Sequence, residues 1–260
     1  TQRPFHLWIH ENELIRTRSV AGSTTTEVVK PNLGRDIFEW CDANQRDFYY
    51  ITRETGNWKT AVMVYEFNFA RVSLTRDFAV KHWSISPISG IKINLAYAAG
   101  SLYLISKDSH LNAFRINLDY QTASDRKSKV KLEKLTAYRT LAKFLQALVV
   151  DQTIYAVCAA EQIEVFSYDP LTQDKWKNFK VLGESVLSSY WFVSRELGKL
   201  FFVSEAAVYA LSCSKSDEPS VKVGLVAQQP VYAFILEGKI VCFYGSSFLE
   251  TTTHDMHLEC

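Results

Sequence analysis

The sequence predicts an all-β protein built from repeated small antiparallel sheets. Short, mostly apolar stretches that contain an aromatic residue recur along the 260 residues at spacings of about 40 to 54 residues. The copies are PFHLWI from Pro4, DFYYIT from Asp47, SLYLIS from Ser101, TIYAVC from Thr153, KLFFVS from Lys199 and KIVCFY from Lys239. Repeats of this length are typical of β-propellers, in which each small sheet covers a face of its neighbour. We therefore predict a propeller of six blades with three to four antiparallel strands each. It forms one domain over residues 1–260, with units that begin near residues 4, 38, 91, 143, 189 and 230.

Each copy is interpreted as the second strand of its unit. Gly100, Gly198 and Gly238 directly precede three of the copies, and a tight hairpin turn needs the positive φ that glycine adopts at low cost. A third strand and a polar outer strand follow, as in IEVFSYDP and KWKNFKVL. Inner strands that are covered on both faces should be almost continuously apolar, as these copies are. In this scheme the chain begins within a blade, so we expect its C-terminal end to add a strand beside the first unit and close the ring.

One segment also fits a helix. The stretch LEKLTAYRTLAKFLQALVV, residues 132–150, has a composition and spacing of leucines that would suit an amphipathic helix. A helix there would replace the strand in front of TIYAVC and break the repeat.

Composition excludes several classes of protein. The net charge of +1 lacks the basic excess of a dedicated nucleic-acid-binding domain. No apolar run reaches the roughly 18 residues that a membrane helix needs, and no signal peptide is visible at the start. The five cysteines form no CxxC pair, so we expect reduced thiols in a cytoplasmic or nuclear protein.

Catalytic and metal-binding patterns are weak. The segment HDMHLEC contains His254, His257 and Cys260, but without a second ligand pair a polar outer strand or tail is the simpler interpretation. The string Asp108-Ser109-His110 is expected to be a turn, since adjacent residues cannot form a catalytic triad. No glycine-rich phosphate loop is present. We therefore predict no catalytic residue, no metal and no cofactor.

The fourth unit carries a more specific pattern. Tyr168, Asp169 and Pro170 follow its third strand, Trp176 comes six residues after the proline, and Arg139 precedes the first strand. This arrangement resembles a kelch repeat. The usual glycine pair after the second strand is replaced, for example by Ala159-Ala160, so the chain as a whole resembles a degenerate kelch propeller.

The resemblance to the propellers of BTB-kelch proteins implies a function in protein recognition. Such a domain would bind substrates for a cullin-RING ubiquitin ligase in the ubiquitin-like conjugation pathway, and would reach the cullin only through segments outside this chain. The implied partner is a protein or peptide, not a nucleic acid or a membrane. Partners would dock on loops between second and third strands and loops entering first strands. The predicted partner-binding residues are Arg53, Lys107, His110, Tyr138, Arg139, Tyr190 and Tyr232, because arginine and tyrosine often carry interface energy.

Two alternatives remain open at this point. The domain could be a structural scaffold of a multi-subunit trafficking or nuclear complex, with contacts on the edge of the propeller. It could also be an enzyme on a propeller, which a stoichiometric transition metal in the purified domain would indicate.

Overall fold

In the part of the chain that the computed structural model describes, the regular elements are all β-strands and there is no helix. That part comprises residues 5–33, 37–42, 47–59, 62–73, 79–85, 92–117, 129–183, 189–214, 216–245 and 251–256. Within it, the side chains of residues 38, 47, 52–59, 62–73, 79–85 and 129 are not described. Over these ranges no helix is long and apolar enough to cross a membrane.

The strands form six antiparallel meanders, which we number along the chain. Meander 1 contains β1 (Phe5–His10), β2 (Glu13–Val20) and β3 (Ser23–Lys30). Meander 2 contains β4 (Ile37–Asp42), β5 (Asp47–Lys59), β6 (Val62–Ser73) and β7 (Ala79–Ile85). Meander 3 contains β8 (Lys92–Ala98), β9 (Ser101–Lys107), β10 (His110–Asn117) and β11 (Lys129–Arg139). A short parallel pairing of β7 with β11 joins meanders 2 and 3 into one eight-stranded sheet.

The remaining meanders are separate sheets. Meander 4 contains β12 (Lys143–Val150), β13 (Thr153–Ala159), β14 (Ile163–Tyr168) and β15 (Lys177–Leu182). Meander 5 contains β16 (Tyr190–Ser194), β17 (Lys199–Ser204), β18 (Ala207–Ser212) and β19 (Val221–Leu225). Meander 6 contains β20 (Tyr232–Leu236), β21 (Lys239–Phe243) and β22 (Thr251–Asp255). The alternative helix over residues 132–150 is therefore wrong, because β11 and β12 occupy that stretch.

In meanders 1, 3, 4, 5 and 6 the first and second strands meet in short described turns at one end of the sheets. Gly100, Gly198 and Gly238 all adopt positive φ there, as the sequence predicted. Each turn reverses the chain, so every first strand begins at the opposite end. We call the two ends the hairpin end and the entry end.

Side chains between consecutive meanders form the core. Five clusters of buried apolar residues each contain members of two meanders that follow one another in the chain. Trp176, 2% exposed, belongs to the cluster between meanders 3 and 4. A sixth cluster joins Trp8 and Ile15 of meander 1 to Phe234, Val241 and Phe243 of meander 6. Every meander thus packs against two others, and the last packs against the first.

Two details of the predicted repeat are wrong. Five of the six copies are second strands, but PFHLWI contributes β1, which pairs with β2 alone and is a first strand. Trp8 and Ile9 are as buried as residues of second strands. The apolar pattern of the sequence therefore could not distinguish a first strand from a second strand here.

The C-terminal strand also differs from expectation. β22 pairs with β21 and is the third strand of meander 6, and within the described residues no strand from elsewhere pairs with meander 1. Side chains link the two meanders instead. The hydroxyl groups of Thr24 and Thr253 lie 3.1 Å apart, those of Thr26 and Thr251 lie 3.4 Å apart, and the Trp8 ring stacks on Tyr232.

The contact between meanders 6 and 1 should therefore contribute strongly to stability. Trp8 is 1% exposed, and its indole N–H donates to the Thr17 hydroxyl at 3.1 Å. We expect Trp8→Ala to lower the free energy of unfolding by about 3–5 kcal/mol, because it leaves a large cavity and removes the indole hydrogen bond to Thr17. Denaturant unfolding followed by circular dichroism measures this.

Leu141→Ala is the control, since Leu141 is 99% exposed, and its effect should stay within about 0.5 kcal/mol. A loss of less than about 1 kcal/mol in Trp8→Ala would show that the fold does not depend on this contact.

Candidate functional site

The first strands of all six meanders surround one cavity. Side chains and backbone of β1, β4, β8, β12, β16 and β20 line its volume of about 410 Å³. Neighbouring first strands touch in order from β1 to β20, which brings their central residues to a common space. The volume lies in the range of about 300–1,000 Å³ that is typical of ligand pockets. The cavity is therefore the strongest candidate for a binding site in the described part of the chain.

An imidazole and a phenol share a hydrogen bond on one wall. His6 Nε2 lies 2.9 Å from the Tyr232 hydroxyl, and the His6 ring stacks on Phe234 with 4.0 Å between ring centroids. Burial, assisted by the positive charge of Arg195, lowers the pKa of His6 from 6.5 to about 3. Burial raises the pKa of Tyr232 well above 10. Both side chains are therefore neutral at physiological pH and act as hydrogen-bonding groups within an aromatic wall.

A carboxyl group lies on another wall. Asn94 Nδ2 donates to Glu39 Oε2 at 2.6 Å, and the Asn94 carbonyl oxygen accepts from the Ala147 backbone N–H at 2.8 Å. These bonds connect β4, β8 and β12. Burial raises the pKa of Glu39 from 4.5 to about 7, against the opposing effects of the Asn94 hydrogen bond and the Lys92 charge. Glu39 is consequently divided between its protonated and ionised forms near neutral pH.

An ion pair crosses the hairpin end of the cavity. Arg195 follows the last residue of β16, and its Nη2 donates to the Asp42 carbonyl oxygen at 2.7 Å while Nη1 lies 3.7 Å from Asp42 Oδ2. Asp42 ends β4, so the pair joins meanders 5 and 2, which are not neighbours in the chain. An exposed pair of this kind adds little stability. Its main effect is to fix the Arg195 guanidinium at this end of the cavity.

Four of the predicted partner-binding residues lie together at the entry end of meander 3. Lys107 ends β9, His110 begins β10, and His110 pairs in register with Arg139 at the end of β11. Tyr138 is 36% exposed, and its ring lies 4.9 Å from that of Phe166. Arg139 is exposed.

The other predicted residues have different positions. Tyr190 and Tyr232 are the first residues of β16 and β20, and both line the cavity instead of an outer loop. The Tyr190 hydroxyl accepts from the Ala233 backbone N–H at 3.3 Å. Arg53 is in β5, and its side chain lies outside the described residues. The structure thus divides the described members of the predicted set into a surface group and a cavity group.

Sequence reasoning missed the polar residues of the cavity. They are His6, Glu39, Asp42 and Arg195, together with Asn94 as the hydrogen-bond partner of Glu39. Two of them carried a recognisable signal, because Glu39 and Asn94 interrupt the apolar strands IFEWCD and KINLAYA, and a polar residue inside such a strand needs a partner. Arg195 and Asp42 carried none, since 153 residues separate them.

The weak catalytic and metal-binding patterns take ordinary structural positions. The Asp108 carboxylate accepts from the His110 backbone N–H at 2.7 Å, which forms the predicted turn. His254 lies in the polar strand β22, where its Nε2 is 3.2 Å from the hydroxyl groups of both Tyr244 and Thr252. His257 and Cys260 lie outside the described residues. Within those residues, no group of three or more His, Cys, Asp or Glu side chains is placed to hold a metal ion.

Comparison with known proteins identifies no family. No protein-family model and no curated protein matches the chain. Solved structures give weak similarities. One is a protein of unknown function from Desulfotomaculum acetoxidans, with a TM-score of 0.48 and 13% identity over 89% of this chain and 72% of that one. Another is a provisionally assigned 6-phosphogluconolactonase from Bacteroides uniformis, with a TM-score of 0.48 and 9% identity over 89% of this chain and 84% of that one.

A third structure is the extracellular domain of a provisionally assigned one-component system from Bacteroides thetaiotaomicron. It has a TM-score of 0.36 and 8% identity, and it covers 95% of this chain and 47% of that one. At these scores and identities, none of the three assigns an activity to this protein.

The raised pKa of Glu39 predicts a specific dependence of stability on pH. The folded state disfavours the ionised carboxylate, so the pKa of Glu39 is about 7 in the folded protein and about 4.5 in the unfolded chain. Glu39 therefore lowers the free energy of unfolding progressively as the pH rises from about 4.5 to about 7. We expect Glu39→Gln to remove this cost. Relative to the wild type, the variant should gain about 2 kcal/mol in free energy of unfolding between pH 5 and pH 8.

Urea unfolding of both proteins at the two pH values tests this. Glu133→Gln, which removes an exposed carboxylate from β11, is the matched control for the loss of one carboxyl group. A stability difference between Glu39→Gln and the wild type that is the same at both pH values would contradict the assignment of a raised pKa.

Proposed function

We propose that the six meanders are the blades of a six-bladed, kelch-like β-propeller that recognises a partner protein at its entry end. The order of the clusters supports the propeller, because each meander packs against the next and the sixth packs against the first. The first strands occupy the innermost position of such an arrangement, which accounts for the cavity between them.

The position of the cavity carries the functional proposal. A single space reached by one strand from every meander can receive contacts from all of them, while loops at the entry end can vary without cost to the fold. Tyr190 and Tyr232 line this space, and Lys107, His110, Tyr138 and Arg139 lie on the same end of the sheets. A partner docked there would contact both groups.

The chemistry of the cavity favours binding over catalysis. A general base works best with a pKa near the working pH, and His6 at about 3 is far from it. The pKa of Glu39 is suitable, but its described hydrogen-bond partners are the Asn94 amide and the Trp40 backbone, and neither is a nucleophile. We therefore propose a non-catalytic domain.

The resemblance of the fourth unit to a kelch repeat supports a finer proposal. In it, the partner is a substrate protein in the cytoplasm or nucleus, and segments outside this chain connect the propeller to a cullin-type ubiquitin ligase. The turn of this motif is well formed, since the Asp169 carboxylate accepts from the Leu171 backbone N–H at 2.9 Å and from the Thr172 hydroxyl at 2.6 Å.

Proximity labelling in cells with the full-length protein tests both the recognition of a partner at the entry end and the proposed link to a ubiquitin ligase. Partners labelled by the wild type should be lost in the double variant Tyr138→Ala, Arg139→Ala. Their affinity for the purified domain should fall by about 30-fold or more, as expected when interface tyrosine and arginine side chains are truncated. If the finer proposal holds, some partners should accumulate when the proteasome is inhibited.

Lys239→Ala is the matched control, because Lys239 is exposed at the hairpin end of meander 6. Equal loss of labelling in both variants would contradict recognition at the entry end. Retained labelling in the double variant would favour contacts elsewhere, as in a scaffold subunit. Labelled partners that never respond to proteasome inhibition would contradict the ligase part alone.

A further inference from the structure

The ionisable side chains around the cavity are unequally divided in sign. Four carboxyl groups line it, and Arg195 is the single lysine or arginine among the described lining residues. The carboxyl groups belong to Glu39, Asp42, Glu196 and Glu237. Arg195 is already engaged with Asp42 at the hairpin end. Glu196 and Glu237 are exposed in turns at the hairpin end, which leaves Glu39 as the lining carboxyl group closest to the entry end.

Glu39 is a lining carboxyl group that no described basic side chain contacts directly, although the charge of Lys92 acts on it from a longer distance. Among the described residues no basic side chain lies within ion-pairing distance of it, and its hydrogen bonds come from neutral groups, the Asn94 amide and the Trp40 backbone. A buried carboxylate is costly unless a charge or several hydrogen bonds compensate it. A positively charged group that entered the cavity would supply this compensation.

The remaining walls suit a cation as well. Trp40, Tyr97 and Tyr232 line the same space, and the rings of Trp40 and Tyr232 lie 5.7 Å apart at an angle of 52°. Aromatic faces attract ammonium and guanidinium groups, most strongly where water is excluded. They also accommodate the aliphatic stem of a long basic side chain.

We propose that the cavity receives a lysine or arginine side chain of the partner protein, and that the cationic group pairs with the Glu39 carboxylate. This inference rests on the proposed recognition at the entry end, and it specifies what the cavity selects. Glu39 lies two residues from the start of β4, a depth of about 7 Å, which an extended basic side chain can reach from the entry end.

Binding of this kind should depend on pH through Glu39. The neighbouring titratable groups stay neutral in this pH range. His6 of β1 has a pKa of about 3. Burial raises the pKa values of Cys41 on β4, Tyr190 on β16 and Tyr232 on β20 above their usual ranges. Lys92 of β8, Arg195 after β16 and Asp42 of β4 are the remaining charged neighbours. With a pKa of about 7, the ionised fraction of Glu39 falls roughly tenfold between pH 8 and pH 6. The affinity for a basic peptide should fall by about the same factor.

Selection from a library of short random peptides tests the inference with purified protein. The wild type, Glu39→Gln and Glu133→Gln are each used as bait at pH 8. We expect the wild type and Glu133→Gln to enrich peptides with a lysine or arginine at one fixed position. Glu39→Gln, which keeps the shape of the side chain and can still accept from Asn94, should lose that preference.

Calorimetry on one enriched synthetic peptide then measures the contribution of the pair. Replacing its basic residue by norleucine, or Glu39 by Gln, should each weaken binding by about 30-fold or more. The two changes together should cost little more than either alone, because they remove the same interaction.

The outcomes separate the two proposals. Enrichment of peptides without a basic position, or equal enrichment by Glu39→Gln, would overturn the role of Glu39 while leaving recognition at the entry end in place. A complete absence of enrichment by the folded wild type would overturn both. The urea unfolding of Glu39→Gln described above shows whether the variant is folded.

Discussion

The packing of one small sheet against the next is the constraint on which the rest of the structure depends. A meander of three or four strands has two apolar faces and cannot cover either of them alone. In this protein each face is covered by a neighbouring meander, and the faces of the first and last meanders cover each other through Trp8, Ile15, Phe234 and Phe243. The described strands make this closing contact without exchanging a strand between the two ends of the chain. Side-chain packing and threonine hydroxyl groups are what hold it.

The cavity is a consequence of the same packing. Each first strand contacts the next, and together they surround a space that residues of non-neighbouring meanders share. The side chains in this space are partly removed from water. Removal from water acts in opposite directions on an acid and a base. It lowers the pKa of His6 to about 3 and raises that of Glu39 to about 7, so at physiological pH the imidazole is neutral and the carboxyl group is divided between its protonated and ionised forms. A neutral imidazole and a half-ionised carboxyl group suit recognition of a partner, because a positive charge on the partner can complete the ionisation of Glu39.

The proposed function combines evidence of two kinds. The turn formed by Asp169 and the packing of Trp176 agree with the kelch-like pattern of the fourth unit, but that pattern covers a short part of the chain. The cavity and the entry end give the physical reason for a binding function that does not depend on the resemblance. The identity of the partner follows from neither, whereas the charge and aromatic character of the cavity restrict its chemistry.

Local patterns in the sequence determined the strands, their antiparallel order within a unit and the glycine turns at the hairpin end. This succeeded because alternation, apolar runs and positive-φ turns act over a few residues, as at Gly100 and Gly238. The same patterns failed where two structural positions have the same environment, so that PFHLWI was assigned as a second strand although β1 is a first strand. Only the tertiary structure decided which polar residues meet in the cavity. His6 and Tyr232, or Asp42 and Arg195, are brought together by the order in which the meanders pack, and no spacing along the chain records that order.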